Sequence, residues 1–350
     1  MKRALLLPLV IAYAAAPVGA QVPVEISEKP LRYDVPATVS PQAKASLKQV
    51  YAFLKQVAQA PQTAPVSPED WRRRNAQANA VIGPRVQAAI EGLNVTVRED
   101  VINGVAVLRV TPPGHTPRKR ALIYAHGGGY VLFTARTSLT VPALVAVATG
   151  DEVISVDYTV APAGNWRTAT DQVIAVYKGV VASRQPDHIG LLGDSAGGGL
   201  VAGSILKMRD QHVPLPGALY LLSPWADITD TGDTYQTLAL ADPSLDAKSL
   251  KWGADAYAAP ADQHNPYVSP VYGDYAGAFP PTLIQGGTRE IFVSNFVRQY
   301  QAIRSGGHEA VLDLYEGMPH VFQALIPTSP ETAVSIKRAA TFFDEHLGKK

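Results

Sequence analysis

Ile189-Gly190-Leu191-Leu192-Gly193-Asp194-Ser195-Ala196-Gly197-Gly198 is an apolar run, a Gly-x-Ser-x-Gly pentapeptide and the start of a small-residue helical stretch that continues to Asp210. A strand that turns this sharply into a helix leaves the serine hydroxyl at the sheet edge, and the glycines two residues to either side let the backbone bend without Cβ clashes. Ser195 is thereby offered as a nucleophile. Outward from this turn, short aliphatic and β-branched runs recur at Val95 to Arg98, Val105 to Thr111, Ala121 to Ala125, Val153 to Val156, Ala218 to Leu222, Thr282 to Gln285 and Ala310 to Tyr315. Helical stretches at 168–183, 198–210, 293–305 and 330–347 separate the later ones. Such alternation predicts an α/β fold, a mostly parallel central sheet flanked by helices.

Two stretches break the alternation. From Gln21 to Ile90 the chain is rich in Pro, Ala and Gln, and helical spacing covers 41–60 and 68–82, with Glu69 and Asp70 in the first turn of the second helix. Between Ser223 and Phe279, Trp, Tyr, Pro, Asp and Thr follow one another without strand spacing. A patternless stretch of that length inside a compact domain is usually functional. The expected organisation is N-terminal cap helices at 21–90 and a catalytic domain at 91–350, with a cap insertion at about 226–279 that completes a helical cap.

Met1-Lys2-Arg3, the apolar run Ala4 to Ala16 and the small residues Pro17-Val18-Gly19-Ala20 read as a signal peptide over 1–20, so export to the periplasm or medium is expected. Its loss removes Lys2 and Arg3 and takes the formal charge from +1 to −1. Neither nucleic acid nor anionic lipid is an expected partner, and no later segment has the roughly 20 apolar residues of a membrane span, so no stable membrane insertion is expected. The chain has no cysteine, which excludes thiol catalysis and disulfides. No metal or organic cofactor is expected.

In an open α/β sheet the working residues leave the carboxyl ends of the strands. Of the eight histidines, His320 lies on such a loop, Glu316-Gly317-Met318-Pro319-His320, whereas His308 enters its strand. His115, His188, His212, His264 and His346 read as structural or solvated. A carboxylate must hold the imidazole tautomer. Glu290, on the loop after the strand at 282–285, stands between serine and histidine in the order that accompanies a Gly-x-Ser-x-Gly turn, with Asp313 and Glu316 as weaker alternatives. His126-Gly127-Gly128-Gly129 leaves the strand at 121–125, where backbone N–H groups, with that of Ala196, form an expected oxyanion hole. His126 itself reads as a structural hydrogen-bonding residue. Trp71, Trp225, Trp252 and Tyr130 are candidates for the pocket wall or, more simply, for the core.

With His126-Gly127-Gly128-Gly129-Tyr130, Gly193-Asp194-Ser195-Ala196-Gly197-Gly198 and the late histidine, the chain resembles the hormone-sensitive lipase family of α/β-hydrolases, the bacterial family IV esterases, over roughly residues 90–347. Asp157-Tyr158 with Ala161-Pro162, and Leu222-Ser223-Pro224-Trp225 with Asp227, look like that family's strand-end motifs. The resemblance implies a serine carboxylesterase acting on short- to medium-chain acyl esters through an acyl-enzyme, in which Ser195 attacks, His320 shuttles the proton and Gly128, Gly129 and Ala196 hold the oxyanion. It also implies a homodimer as a state common among relatives. Two departures stand out: Thr288-Arg289-Glu290-Ile291 replaces the Asp-Pro-Leu of many relatives, and Ala161-Pro162-Ala163 replaces Ala-Pro-Glu. A lactonase or amidase with the same triad is the enzymatic alternative, and a ligand-binding protein on the same scaffold is the alternative of another class.

Overall fold

The computed structural model describes residues 31–59, 63–116 and 118–348, so the leader read at 1–20 lies outside the described residues. Among the described residues eight strands form one sheet: β1 (Thr96–Ile102), β2 (Val105–Thr111), β3 (Ala121–Ala125), β4 (Val153–Val156), β5 (Ile189–Asp194), β6 (Ala218–Leu222), β7 (Thr282–Gly287) and β8 (Ala310–Tyr315). Their spatial order is β1-β2-β4-β3-β5-β6-β7-β8. β2 runs antiparallel to both its neighbours, and every other pairing is parallel. The helices are α1 (Pro41–Ala58), α2 (Pro68–Glu91), α3 (Thr140–Thr149), α4 (Trp166–Val181), α5 (Ala196–Asp210), α6 (Thr234–Thr237), α7 (Ala247–Tyr257), α8 (Val293–Ser305), α9 (Phe322–Leu325) and α10 (Pro330–His346). The expected α/β class and mostly parallel sheet are borne out.

The central strands are apolar throughout because both faces are covered. In β3, Ile123 and Ala125 join the core that includes α4, α5 and α8, whereas Leu122 and Tyr124 join the one that includes α3 and α10. β1, at the sheet edge, alternates half-buried with exposed residues. α5 is buried along almost its whole length. Gly197 permits that, since a Cβ there would stand 2.0 Å from the carbonyl oxygen of Ala125.

The helices before the sheet begin at serines. Ser40 accepts from the Ala43 N–H and Ser67 from the Asp70 N–H, each followed by proline at the first helical position. α2 does not stop near Ile82, as its spacing suggested, but runs through Gly83-Pro84 to Glu91. Proline forfeits one backbone bond in a helix interior, and here tertiary packing outweighs that loss: Ile90 is buried and Val86 rests on the same core. A separate small core sets α1 against the loop after β8 and α9, with Leu47 and Tyr51 meeting Met318, Phe322 and Ile326.

The stretch 226–279 divides in two. Ser244 to Gly253 faces α1 and α2 across a cavity, with Arg74 of α2 5.5 Å from the Trp252 ring centroid. The part after Tyr257 packs down on α5 and α8 instead: the Tyr275 hydroxyl accepts from Gln299 at 2.6 Å, and Val268 is buried in the core. Among the described residues, no helix is long and apolar enough to cross a membrane.

Candidate active site

Four adjoining strands, β5 to β8, and the nearby β3 deliver their carboxyl ends to one place. β5 ends at Asp194, and the chain enters α5 through Ser195 at φ 52°, a left-handed conformation unfavourable for a residue with a Cβ. The turn is held by its surroundings: the Ser195 N–H donates to the Leu222 carbonyl at 2.8 Å, and the Ser195 carbonyl accepts from the N–H groups of Gly198 and Trp225. Strain of this kind persists only where neighbouring structure over-determines it, and here it lifts the hydroxyl into the cavity.

After β7, Glu290 is buried completely. Its Oε2 lies 2.6 Å from Nδ1 of His320, and its Oε1 accepts from the Ser223 hydroxyl at 2.8 Å and the Gly287 N–H at 2.5 Å. Three donors therefore converge on one carboxylate. His320 follows β8 and precedes Val321, whose φ of 47° is costly for a β-branched residue and is held by donation from its N–H to the Ser223 oxygen at 3.1 Å. Burial pulls the imidazole pKa down, but the charge of Glu290 and the hydrogen bond to it prevail, and the net effect holds His320 above its ordinary value. Ser195 and His320 line the same cavity without a hydrogen bond between them. Such contacts are often long in an unliganded site.

The other two carboxylates stand elsewhere. Asp313 pairs with Arg338 and accepts from Tyr315 at 2.9 Å, and Glu316 accepts from the Thr38 hydroxyl at the surface. Three other histidines are engaged elsewhere: His308 with the carbonyls of Tyr275 and Gly277, His346 with Glu309, His188 with Asp187.

Beyond β3, Gly128 and Gly129 adopt φ of 110° and 61°. The N–H groups of Gly128, Gly129 and Ala196 have no acceptor among the described residues. Their loop is fixed from behind by Asp194, which accepts from the Gly127 N–H at 3.0 Å and the Tyr124 hydroxyl at 2.5 Å and whose carboxyl is pushed upward by burial. His126 is buried, bonds through Nδ1 to the Gly127 carbonyl at 2.7 Å and stacks on Tyr158; burial lowers its pKa, and it lies outside the cavity wall. The cavity, about 780 Å³, is walled mainly by apolar groups of α1, α2, the loop after β3, the 244–253 segment and the chain after His320. Trp71 lines it, whereas Trp225 and Tyr130 are core aromatics stacked on each other.

The model of the α/β hydrolase fold family matches residues 122–324, which spans β3, the serine turn, Glu290 and His320. The chain belongs to the α/β-hydrolase family. Among α/β-hydrolases of known structure it is similar to the esterase E25 (28% identity, TM-score 0.80, 96% of this chain and 99% of that one). It is similar also to an esterase of the bacterial hormone-sensitive lipase family (29% identity, TM-score 0.77, 88% and 99%). An acetyl-hydrolase of Streptomyces hygroscopicus is 29% identical over 283 residues, 80% of this chain and 94% of that protein. The resemblance read from residues 126–130 and 193–198 is thus borne out.

Ser223 and Asp242 escaped the sequence reading. Ser223 sits in a quoted strand-end motif, Leu222-Ser223-Pro224-Trp225, whose hydroxyl could have been asked for a partner. Asp242 lies in a patternless stretch and carries no local signal.

Proposed function

We propose that this α/β-hydrolase is a serine carboxylesterase that cleaves short- to medium-chain acyl esters. The observation that carries the reading is the pair formed by buried Glu290 and half-buried His320, 2.6 Å apart, sharing a cavity with a serine held at φ 52°. In the proposed reaction Ser195 Oγ attacks the ester carbonyl and gives its proton to Nε2 of His320, while Glu290 stabilises the imidazolium through Nδ1. Negative charge developing on the carbonyl oxygen meets the free N–H groups of Gly128, Gly129 and Ala196, and each such donor is typically worth roughly 3 kcal/mol in the transition state. His320 then protonates the departing alkoxide, and water, activated by the same imidazole, releases the acyl group.

The apolar lining supports an alkyl acyl group, and the acetyl-hydrolase similarity supports acceptance of the shortest. Export of the chain and a homodimeric state belong to the same proposal; sequencing the secreted N-terminus and sedimentation of the purified protein test them. The reaction itself is tested by hydrolysis of p-nitrophenyl acetate through palmitate with Ser195→Ala alongside. Turnover of the short esters, lost in the variant while the fold is kept, is the expected result. Silence across the series in folded protein overturns the reading.

A further inference from the structure

Asp242 is a carboxylate with no exposed surface that the chemistry above does not use. It lies between α6 and α7, at the start of the segment that forms one cavity wall. Oδ2 accepts from the N–H of Ile291, the residue after Glu290, at 2.8 Å. Oδ1 accepts from the N–H groups of Ser244 and Leu245 at 2.8 and 2.9 Å, and both residues line the cavity. The Arg32 guanidinium clips the same turn from outside, donating to the carbonyls of Asp242 and Leu245 at 2.6 Å each. On the other side of Glu290, the Arg289 N–H donates to the Met318 carbonyl of the histidine loop at 3.1 Å. Glu290 is therefore flanked by two ties, one to the loop that bears His320 and one to Asp242.

We propose that Asp242 is a positioning residue for the triad acid: its carboxylate fixes Ile291, and through it Glu290, in line with His320, and in the same act anchors the 244–253 wall over Ser195. This inference rests on the reading of Glu290 as the triad acid. Only an ionised carboxylate offers acceptors alone on both oxygens, and three N–H donors meet this one. Once protonated, one of its oxygens becomes a hydroxyl and the clamp weakens. The ionisable groups around it are His320, Glu290 beyond Ile291, Arg32, and Tyr51 of α1 close to the Arg289 guanidinium. Burial pushes the Asp242 carboxyl up to about 6, with the backbone donors and His320 working against the rise. The clamp therefore loosens as pH falls through about 6, below the raised range in which His320 gains its proton.

Asp242→Asn keeps an oxygen for Ser244 and Leu245 but sets an amide N–H₂ against the Ile291 N–H. The assay is kcat and KM for p-nitrophenyl acetate from pH 5 to 9, with Glu290→Gln alongside and the low-field Hδ1 proton resonance of His320 recorded for wild type and variant. For Asp242→Asn a roughly tenfold fall in kcat is expected, in keeping with small misplacements of a catalytic group. The acid limb should become shallower, one proton instead of two, and the Hδ1 resonance should shift. Should the variant fail to fold, the wild-type resonance serves: it should move as Asp242 titrates, and one that follows His320 alone overturns the inference. A large loss in Glu290→Gln with wild-type kcat and acid limb in Asp242→Asn overturns the positioning role alone, as does a lowered Tm with unchanged kinetics. Near-wild-type rates in both variants overturn the triad reading and this inference with it.

Discussion

Glu290→Gln discriminates most sharply, because the buried carboxylate has no spare acceptor to lose. The side-chain amide offers one oxygen and one N–H₂ group where the carboxylate offers two oxygens. If the amide oxygen takes the Oε1 position, it keeps the bonds from Ser223 Oγ and Gly287 N–H, and the N–H₂ faces Nδ1 of His320. The flipped amide sets N–H₂ against the Gly287 N–H, a mismatch costing about 1–3 kcal/mol when buried, and turns the Ser223 hydroxyl from donor to acceptor. The first arrangement therefore wins, and it forces the imidazole to accept at Nδ1 and carry its proton on Nε2, the nitrogen that must receive the serine proton. The same tautomer error in a serine protease lowers kcat by about 10⁴, or roughly 5 kcal/mol of transition-state stabilisation. A loss of that order is expected here.

The pH profile should move as well, with a definite sign. In the proposed reaction His320 acts as a base only when neutral, and its pKa is held above the ordinary value by Glu290 against the opposing effect of burial. Wild-type activity should therefore appear only as pH rises through that raised value. Without the carboxylate the burial effect is left opposed only by more distant charges, the pKa drops, and the acid limb should move to lower pH even as the plateau collapses. The assay is kcat/KM for p-nitrophenyl acetate from pH 5 to 9, with circular dichroism to verify the fold. A variant within tenfold of wild type, or an acid limb that stays put or rises, refutes the reasoning.

Two further outcomes follow from the cavity walls. Gly128→Ala should lower kcat by at least 10² while Gly129→Ala costs less than tenfold: at 128 a Cβ would stand 2.3 Å from the Leu132 carbonyl oxygen at φ 110°, whereas at 129 the nearest atom is 3.9 Å away; steady-state kinetics on the pair checks the contrast. Ile82→Trp, which fills part of the cavity from α2, should cut kcat/KM for p-nitrophenyl decanoate about tenfold or more and leave the acetate within twofold, read from the ester series.

The strands, the serine turn and the starts of α1 and α2 were legible in the sequence because each depends on a few neighbouring residues. Short aliphatic and β-branched runs, a Gly-x-Ser-x-Gly bend and acidic residues in a first helical turn act over less than a turn or two of chain. The same locality misled at Gly83-Pro84, where a local stop signal lost to the packing of Val86 and the burial of Ile90. Sequence order could offer Glu290, Asp313 and Glu316 as partners of His320, but not bring any of them to it. That depends on β7 and β8 lying side by side, with Asp313 drawn to Arg338 and Glu316 to Thr38. Ser223 bridges Glu290 and Val321 only because β6 lies next to β7, and Asp242 reaches Ile291 across 49 residues. By itself the sequence determined which residues could do the chemistry and on which kind of loop they sit. Only the tertiary structure decided which carboxylate meets the histidine, what holds it there, and which parts of 31–91 and 226–279 close over the serine, because those are contacts between distant segments, set by packing and not by any pattern along the chain.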